Sequence, residues 1–280
     1  MSFPISPTEY NQFKTKLEQY SGITLGENKE YLITSRLRRL LESENLANLS
    51  ELLVSMDRNL KLKESVVDAM TTNETLWFRD DHPFKIFREK LLPELAKARK
   101  PLRIWSAACS TGQEPYSLSI AVEDFKKSNP GALTGDVKII ATDISPTALA
   151  IAKEGAYPQL ALKRGMGDVH LRQYFTQKGE DEWQINDEIK RRIEFRSLNL
   201  QTSYSMLGKF DIVFCRNVLI YFSPEFKLDI LKRIHGTLNP EGHLFVGASE
   251  AVNNLADFYK MQQFNPGISY QVKPVVAGNR

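Results

Sequence analysis

The stretch from Arg103 to Ile120, RIWSAACSTGQEPYSLSI, constrains the fold of this chain more than any other. Leu102, Ile104 and Trp105 are apolar and bulky, as a buried strand requires. Ala107, Ala108, Cys109, Ser110 and Gly112 follow, all small, so that backbone can approach a ligand closely. Pro115 suits the first turn of a helix, which Tyr116 to Ala121 continues. Strand, tight loop and helix in that order put free helix N–H groups at the carboxyl end of a strand. That is the layout of a nucleotide-type site in an α/β fold.

Val137 to Ser145, VKIIATDIS, supplies a second half. Val137, Ile139 and Ile140 read as a short buried strand with Asp143 at its end, where a carboxylate can accept both hydroxyls of a ribose. The dinucleotide fingerprint GxGxxG is absent. Gly112 stands alone, and its distance from Asp143 exceeds the usual spacing of about 20 residues. A ligand with ribose and base but no phosphate suits such a loop. S-adenosylmethionine fits that description, and a nicotinamide dinucleotide fits less well. A generic βαβ unit with an exposed Asp at a strand end is the other reading of the same residues.

The chain of 280 residues divides into three by pattern. Residues 1–70 read as an all-helical domain. Tyr10, Phe13, Leu17 and Tyr20 recur at helical spacing, and Leu32, Leu37, Leu40 and Leu41 form a second apolar side. Leu49, Leu52, Leu53 and Met56 suggest a third helix, and Leu62, Val66, Val67 and Met70 a fourth. Residues 71–100 are a linker and helix expected to contribute to the cofactor site, with Trp77 and Phe78 set among polar residues. Residues 101–280 alternate strands and helices. Strands are predicted at Leu102–Ala108, Val137–Thr142, Ile193–Arg196, Phe210–Cys215, His243–Ala248 and Ile268–Val272, with a helix over Pro224–Leu238. Such alternation predicts a largely parallel, Rossmann-like sheet with helices on both faces. The polar stretch 157–190 interrupts it and reads as an inserted subdomain.

Composition excludes several classes. With 37 basic and 34 acidic residues, bulk charge does not argue for nucleic acid. No apolar run reaches membrane-spanning length, and MSFPISPTEYNQF lacks a signal-peptide pattern, so a cytoplasmic protein is expected. Cys109 and Cys215 have no metal-ligand spacing, and His82, His170, His235 and His243 form no paired motif, so no metal is expected.

Further polar residues fall at the same predicted sheet edge. Asn199 and Leu200 end FRSLNL, where an amide side chain could read an adenine edge and Leu200 could pack on the ring. Arg216 and Asn217 follow the strand Phe210–Cys215, Tyr221 lies a turn later, and Ser223-Pro224 opens a helix. Asn217 reads equally as a cap for the turn after the strand. On the second N-terminal helix, Lys29, Arg36 and Arg39 recur near whole turns with Arg38 beside them. They form either a solvated face, helped by Arg38 and Glu42 at i, i+4, or a docking face for an acidic helix.

The segments TTNETLWFR, WSAACSTGQEPYSLSI, ATDIS, SLNL, FDIVFCRNVLIYF and GHLFVGASE, in this order from Thr71 to Glu250, resemble the bacterial chemotaxis receptor methyltransferases of the CheR family. The helical N-terminal domain is similar too, so the resemblance covers nearly the whole chain. It implies methyl transfer from S-adenosylmethionine to glutamate side chains of methyl-accepting chemotaxis receptors, leaving S-adenosylhomocysteine. By motif match it implies cofactor contacts from Asn73, Thr75, Arg79, Glu114, Asp143, Asn199, Leu200, Arg216 and Asn217, and places Arg79 and Tyr221 at the point of transfer. It also implies receptor docking through Lys29, Arg36, Arg38 and Arg39.

Two other readings stay open at this stage. One is an S-adenosylmethionine enzyme with a small acid or a nucleic acid as substrate, although FCRNVLIYF stands where amino-methylating enzymes carry an Asn-Pro-Pro or Asp-Pro-Pro group. The other is a non-enzymatic cofactor sensor. Some members of the family hold a tethering pentapeptide on the inserted subdomain through a longer Gly-rich loop. Here Thr176 to Trp183 has one glycine, Gly179, and the acidic run Glu180, Asp181 and Glu182, so independence from such a tether is expected.

Overall fold

The computed structural model describes residues 3–252 and 255–273. Four helices open the chain: α1 (Pro7–Ser21), α2 (Glu30–Ser43), α3 (Leu49–Arg58) and α4 (Leu60–Met70). Their starts follow local chemistry. Ser6 and Glu9 close a capping box on α1, and the side chains of Asn48 and Asn59 accept the N–H groups of Glu51 and Leu62 to cap α3 and α4. Gly22, at φ 76°, ends α1 in the left-handed conformation. Tyr10, Phe13, Leu17, Leu37, Leu41 and Leu52 meet in one core, as their spacing predicts. On α2 the central core residue is Ile33 rather than Leu32, because positions 33, 37 and 41 share the inward stripe.

The segment 71–100 is packed rather than loose. After an extended run it forms α5 (His82–Ile86), a π-helical turn at Phe87–Leu91 and α6 (Leu92–Lys97). Phe84, Phe87, Leu91 and Leu92 are buried under the sheet.

A seven-stranded sheet follows, built of β1 (Leu102–Ala107), β2 (Val137–Asp143), β6 (Ile193–Ser197), β7 (Phe210–Cys215), β8 (Leu238–Val246), β9 (Tyr259–Gln263) and β10 (Ile268–Val272), in the spatial order β6-β2-β1-β7-β8-β10-β9. The first five strands are parallel, and β10 runs antiparallel to both β8 and β9. Alternate residues face two cores, Trp105 and Val213 toward one and Ile104, Ile212 and Phe214 toward the other. Helices α7 (Gln113–Ser128), α8 (Pro146–Glu154) and α12 (Pro224–Thr237) connect the parallel strands. Two boundaries depart from expectation. β8 begins at Leu238, directly after α12, and β9 was not anticipated, because YKMQQ has too little apolar alternation to read as a strand.

The insertion is a small mixed unit with its own three-stranded antiparallel sheet, β3 (Ala156–Pro158), β5 (Glu182–Ile185) and β4 (Phe175–Gln177), in the order β3-β5-β4. The short helices α9 (Gln159–Leu162), α10 (Asp168–Tyr174) and α11 (Asp187–Lys190) complete it. Its aromatic core of Tyr157, Tyr174 and Phe175 receives Trp77 from the linker, edge-on to Tyr157 and Phe175 at 5.0 and 5.3 Å. That contact explains the two aromatics in a polar linker. Among the described residues no helix is long and apolar enough to cross a membrane.

Candidate functional site

The chain crosses from β1 to β2 and β6 on one side, then returns to β7 and β8 on the other. This leaves a crevice outside the carboxyl end of β1, the usual ligand position in an open α/β sheet. The crevice is a concave cleft with about 970 Å³ of empty space, the open solvent at its mouth included. Asn73, Thr75, Arg79, Glu114, Asp143, Asn199, Leu200, Arg216, Asn217 and Tyr221 all line it. The linker forms one wall, the β1 and β2 ends the floor, and the residues after β6 and β7 the far side.

The floor is held in backbone conformations that L-residues rarely adopt. Ala108 and Ser110 have φ 57° and 52°, and Gly112 has φ 98°. Short side chains permit this loop. A Cβ on Gly112 would lie 3.0 Å from both the Ala152 Cβ and the Tyr157 hydroxyl. The Asp143 carboxylate accepts the N–H of Ser110 at 2.7 Å and that of Ser145 at 2.9 Å. Burial nevertheless pushes its carboxyl above the ordinary value, against those backbone donors. Glu114, at the start of α7, accepts the Ser106 hydroxyl at 2.7 Å and Arg216 Nη1 at 3.2 Å. Burial raises its carboxyl too, with Arg216 opposing.

Some side chains serve otherwise than the sequence suggests. The Arg216 guanidinium is buried and does not simply close the cleft. Its Nη2 donates to Asp80 at 2.7 Å and to the Arg79 carbonyl at 2.8 Å, so it ties the linker to Glu114. The Asn199 amide is also committed. Nδ2 donates to the Tyr20 carbonyl at 2.8 Å and Oδ1 accepts the Gln201 N–H at 2.9 Å, so this side chain joins the helical domain to the sheet instead of standing free for an adenine edge. Asn217 takes φ 58°, in keeping with the turn reading. Arg79 Nη1 donates to the Glu74 carbonyl at 3.2 Å.

The four basic residues of the predicted docking face separate. Arg36 Nη1 donates to the carbonyls of Met70 and Thr71 at 2.6 and 2.9 Å, and Nη2 to the Thr72 hydroxyl at 2.9 Å. Arg36 therefore holds the end of α4 at the mouth of the cleft. Helical spacing could not show this, because its partners lie 34 residues or more away. Lys29 sits over the Tyr31 ring, while Arg38 and Arg39 are exposed.

Several contributors gave little signal in the sequence. Asp68 on α4 accepts the hydroxyls of Ser145 and, at 2.6 Å, Thr147, and so pins the helical domain to the start of α8. Ser21 and Ile23 line the cleft from the end of α1. Thr24 donates through its N–H to the Tyr221 carbonyl at 2.9 Å. Ser106, buried on β1, donates its hydroxyl to Glu114 eight residues on.

The residues fit S-adenosylmethionine. The Asp143 carboxylate lines the cleft as an acceptor for a ribose hydroxyl, and Ile144, Leu200, Val218 and Phe222 offer apolar walls for a base. Two carboxyls whose charge is disfavoured by burial suit a cationic guest, because a nearby positive charge offsets that cost.

Comparison with known proteins decides the family. The description "CheR methyltransferase, SAM binding domain" matches residues 73–268, and "CheR methyltransferase, all-alpha domain" matches residues 8–71. The chain belongs to the CheR methyltransferase family. It is 54% identical over 268 residues to "Chemotaxis protein methyltransferase 1" of Pseudomonas aeruginosa, covering 95% of this chain and 98% of the relative. It is 52% identical over 269 residues to "Chemotaxis protein methyltransferase Cher2" of Pseudomonas putida, with the same coverage. A "Chemotaxis protein methyltransferase" of Vibrio parahaemolyticus is 48% identical over 271 residues, covering 96% of this chain and 98% of the relative. This CheR chain is an S-adenosylmethionine-dependent methyltransferase, and the cleft at the end of β1 lies wholly within the two matched regions or at their junction.

Proposed function

We propose that the chain methylates glutamate side chains on the cytoplasmic helices of chemotaxis receptors, with Arg79 and Tyr221 at the point of transfer. One observation carries this reading. A single cleft brings the linker residues Asn73 and Arg79 together with Asp143 and the Arg216–Tyr221 loop, while no histidine lines it among the described residues. Bound S-adenosylmethionine supplies an electrophilic methyl group on a sulfonium. A glutamate acceptor has an ordinary pKa of about 4.3 and is already ionised, so the chain has no general base to provide. Its task is alignment, which can be worth about 7–11 kcal/mol. Asp143 and Glu114 would hold ribose and the charged amino-acid end of the cofactor. The Arg79 guanidinium orients a carboxylate, Tyr221 donates a hydrogen bond, and the apolar walls exclude water around a charge-neutralising transfer.

The remaining exposed cations, Arg38 and Arg39, suit an acidic receptor helix. The β4–β5 hairpin turns through residues 178–181, with Lys178 N–H donating to the Glu182 carbonyl at 2.8 Å. This short acidic turn supports docking without a C-terminal pentapeptide tether.

Incubation with tritiated cofactor and receptor-rich membranes tests the activity. Base-labile methyl ester on a membrane protein is expected; label on nucleic acid, or none, refutes the reading. Titration with the tethering pentapeptide is expected to show no saturable binding, and micromolar affinity would refute independence.

A further inference from the structure

The GHLFVGASE stretch ends in a carboxylate that the methyl-transfer reading leaves unused. Glu250 is buried, and it lies behind the cleft, at the edge of a neighbouring hollow it shares with Leu219 and Ile220. Its side chain accepts three backbone N–H groups. Oε2 takes those of Gly247 at 2.6 Å and Asn217 at 2.8 Å, and Oε1 takes that of Ile220 at 3.3 Å. Two of the three belong to the loop from Arg216 to Tyr221.

That loop is under constraint at both ends. Asn217 sits at φ 58°, a conformation that costs energy in an L-residue and persists where surroundings impose it. Gly247 makes room for it, since a Cβ there would lie 2.7 Å from both Asn217 Nδ2 and Glu250 Oε2. At the far end the Tyr221 carbonyl receives the N–H of Thr24 at 2.9 Å and its hydroxyl at 3.1 Å. All three partners of Glu250 are donors, so an acceptor-only carboxylate matches them, and an amide in its place would set an NH2 group against at least one N–H.

We infer that Glu250 is a positioning residue for methyl transfer: its carboxylate holds the Arg216–Tyr221 loop so that Asn217 and Tyr221 face the cleft. The rate arm of this inference rests on the methyl-transfer reading. The contact itself does not.

The test compares wild type with Glu250→Gln and Gly247→Ala in the full chain, and uses Ser249→Ala, an exposed neighbour, as control. Three quantities are read: kcat on receptor-rich membranes at saturating cofactor, the Kd of S-adenosylhomocysteine, and hydrogen exchange of individual amides. Glu250→Gln is expected to lower kcat at least tenfold while the Kd stays within threefold. The amides of Asn217, Ile220 and Gly247 are expected to exchange faster, with the helical-domain core unchanged. Gly247→Ala is expected to reproduce the pattern from the other side of the contact, and it carries the test if the glutamine variant folds poorly. A kcat within threefold of wild type overturns the inference. So does a fall in kcat matched by an equal fall in affinity and by faster exchange throughout, which would mark a merely structural role. If wild type itself transfers no methyl to receptors, the proposed function fails, and the exchange arm still decides: unchanged exchange at the three amides overturns the inference, faster exchange confined to them supports it.

Discussion

In the helical domain, Ser6, Asn48 and Asn59 cap three helices, a glycine makes the left-handed turn after α1, and the core is apolar. The left-handed non-glycine residues there, Asn28 and Asn45, are asparagines, whereas at the cleft Ala108 and Ser110 take such backbone as well as Asn217, and Arg216, Asp143 and Glu250 are charged groups held inside, with Glu114 largely so. The first region satisfies its helix starts locally. The second satisfies its residues only through one another, at separations of 102 positions for Arg216 with Glu114 and 33 for Glu250 with Asn217. Local rules account for the helix starts, and they give way most where backbone and buried charge line the cleft.

The sharpest way to break this contrast is Arg216→Ala. It leaves Glu114 buried without its cationic partner, and loss of one member of a buried pair costs about 3–5 kcal/mol. Thermal unfolding is expected to shift strongly downward and cofactor binding to vanish. A variant with a wild-type midpoint would show that the pair is dispensable.

Asp143→Ala is next in size. On the proposed reading it removes one or two charge-assisted hydrogen bonds to the cofactor, each about 1.5–3 kcal/mol, and calorimetry should show S-adenosylmethionine affinity reduced at least tenfold. Unchanged affinity would remove Asp143 from the site. The same carboxyls set a pH dependence. Asp143 and Glu114 are raised by burial, so the folded, cofactor-free chain holds their protons more tightly than the unfolded chain. Their contribution to stability is therefore present below the unfolded pKa and lost as pH rises through the raised folded value. Affinity for the cationic cofactor runs the other way. It needs the ionised form and is expected to decline with acidification from a pH above about 4.3, the ordinary glutamate value. Parallel titrations of stability and affinity that moved together would contradict the assignment.

The smallest effect belongs to the helical domain. Asn59→Ala removes the cap of α4 and should cost about 1 kcal/mol in denaturant unfolding, with kcat unchanged. A catalytic defect from that cap would mean the two regions are less distinct than their construction suggests.

The same division governs what could be read from the sequence. The four N-terminal helices, most sheet strands and the insertion were legible because each announces itself within a dozen residues, by apolar period, cap or glycine. The ten cleft residues were legible through motifs, and all ten line one cavity. What the side chains of Arg36, Asn199 and Arg216 do was not legible. Their partners are backbone carbonyls or acids far along the chain, and no spacing encodes them. Asp68 was invisible for the same reason: on α4 it reads as one more solvated acid, and only the packed structure sets it against Ser145 and Thr147.

The two matched regions meet between residues 71 and 73, and the cleft straddles that seam, drawing Ser21, Ile23 and Met70 from one side and Asp143 and Tyr221 from the other. In terms of descent, the seam is a poor place to recombine. A hybrid joining the helical part of one relative to the sheet part of another would inherit half a cofactor pocket from each parent. It would also inherit mismatched clasps at Asp68 with Ser145, Asn199 with Tyr20, and Thr24 with Tyr221. The two halves are therefore bound to drift as a couple, and a lineage that alters its helical domain does so while carrying the cleft with it.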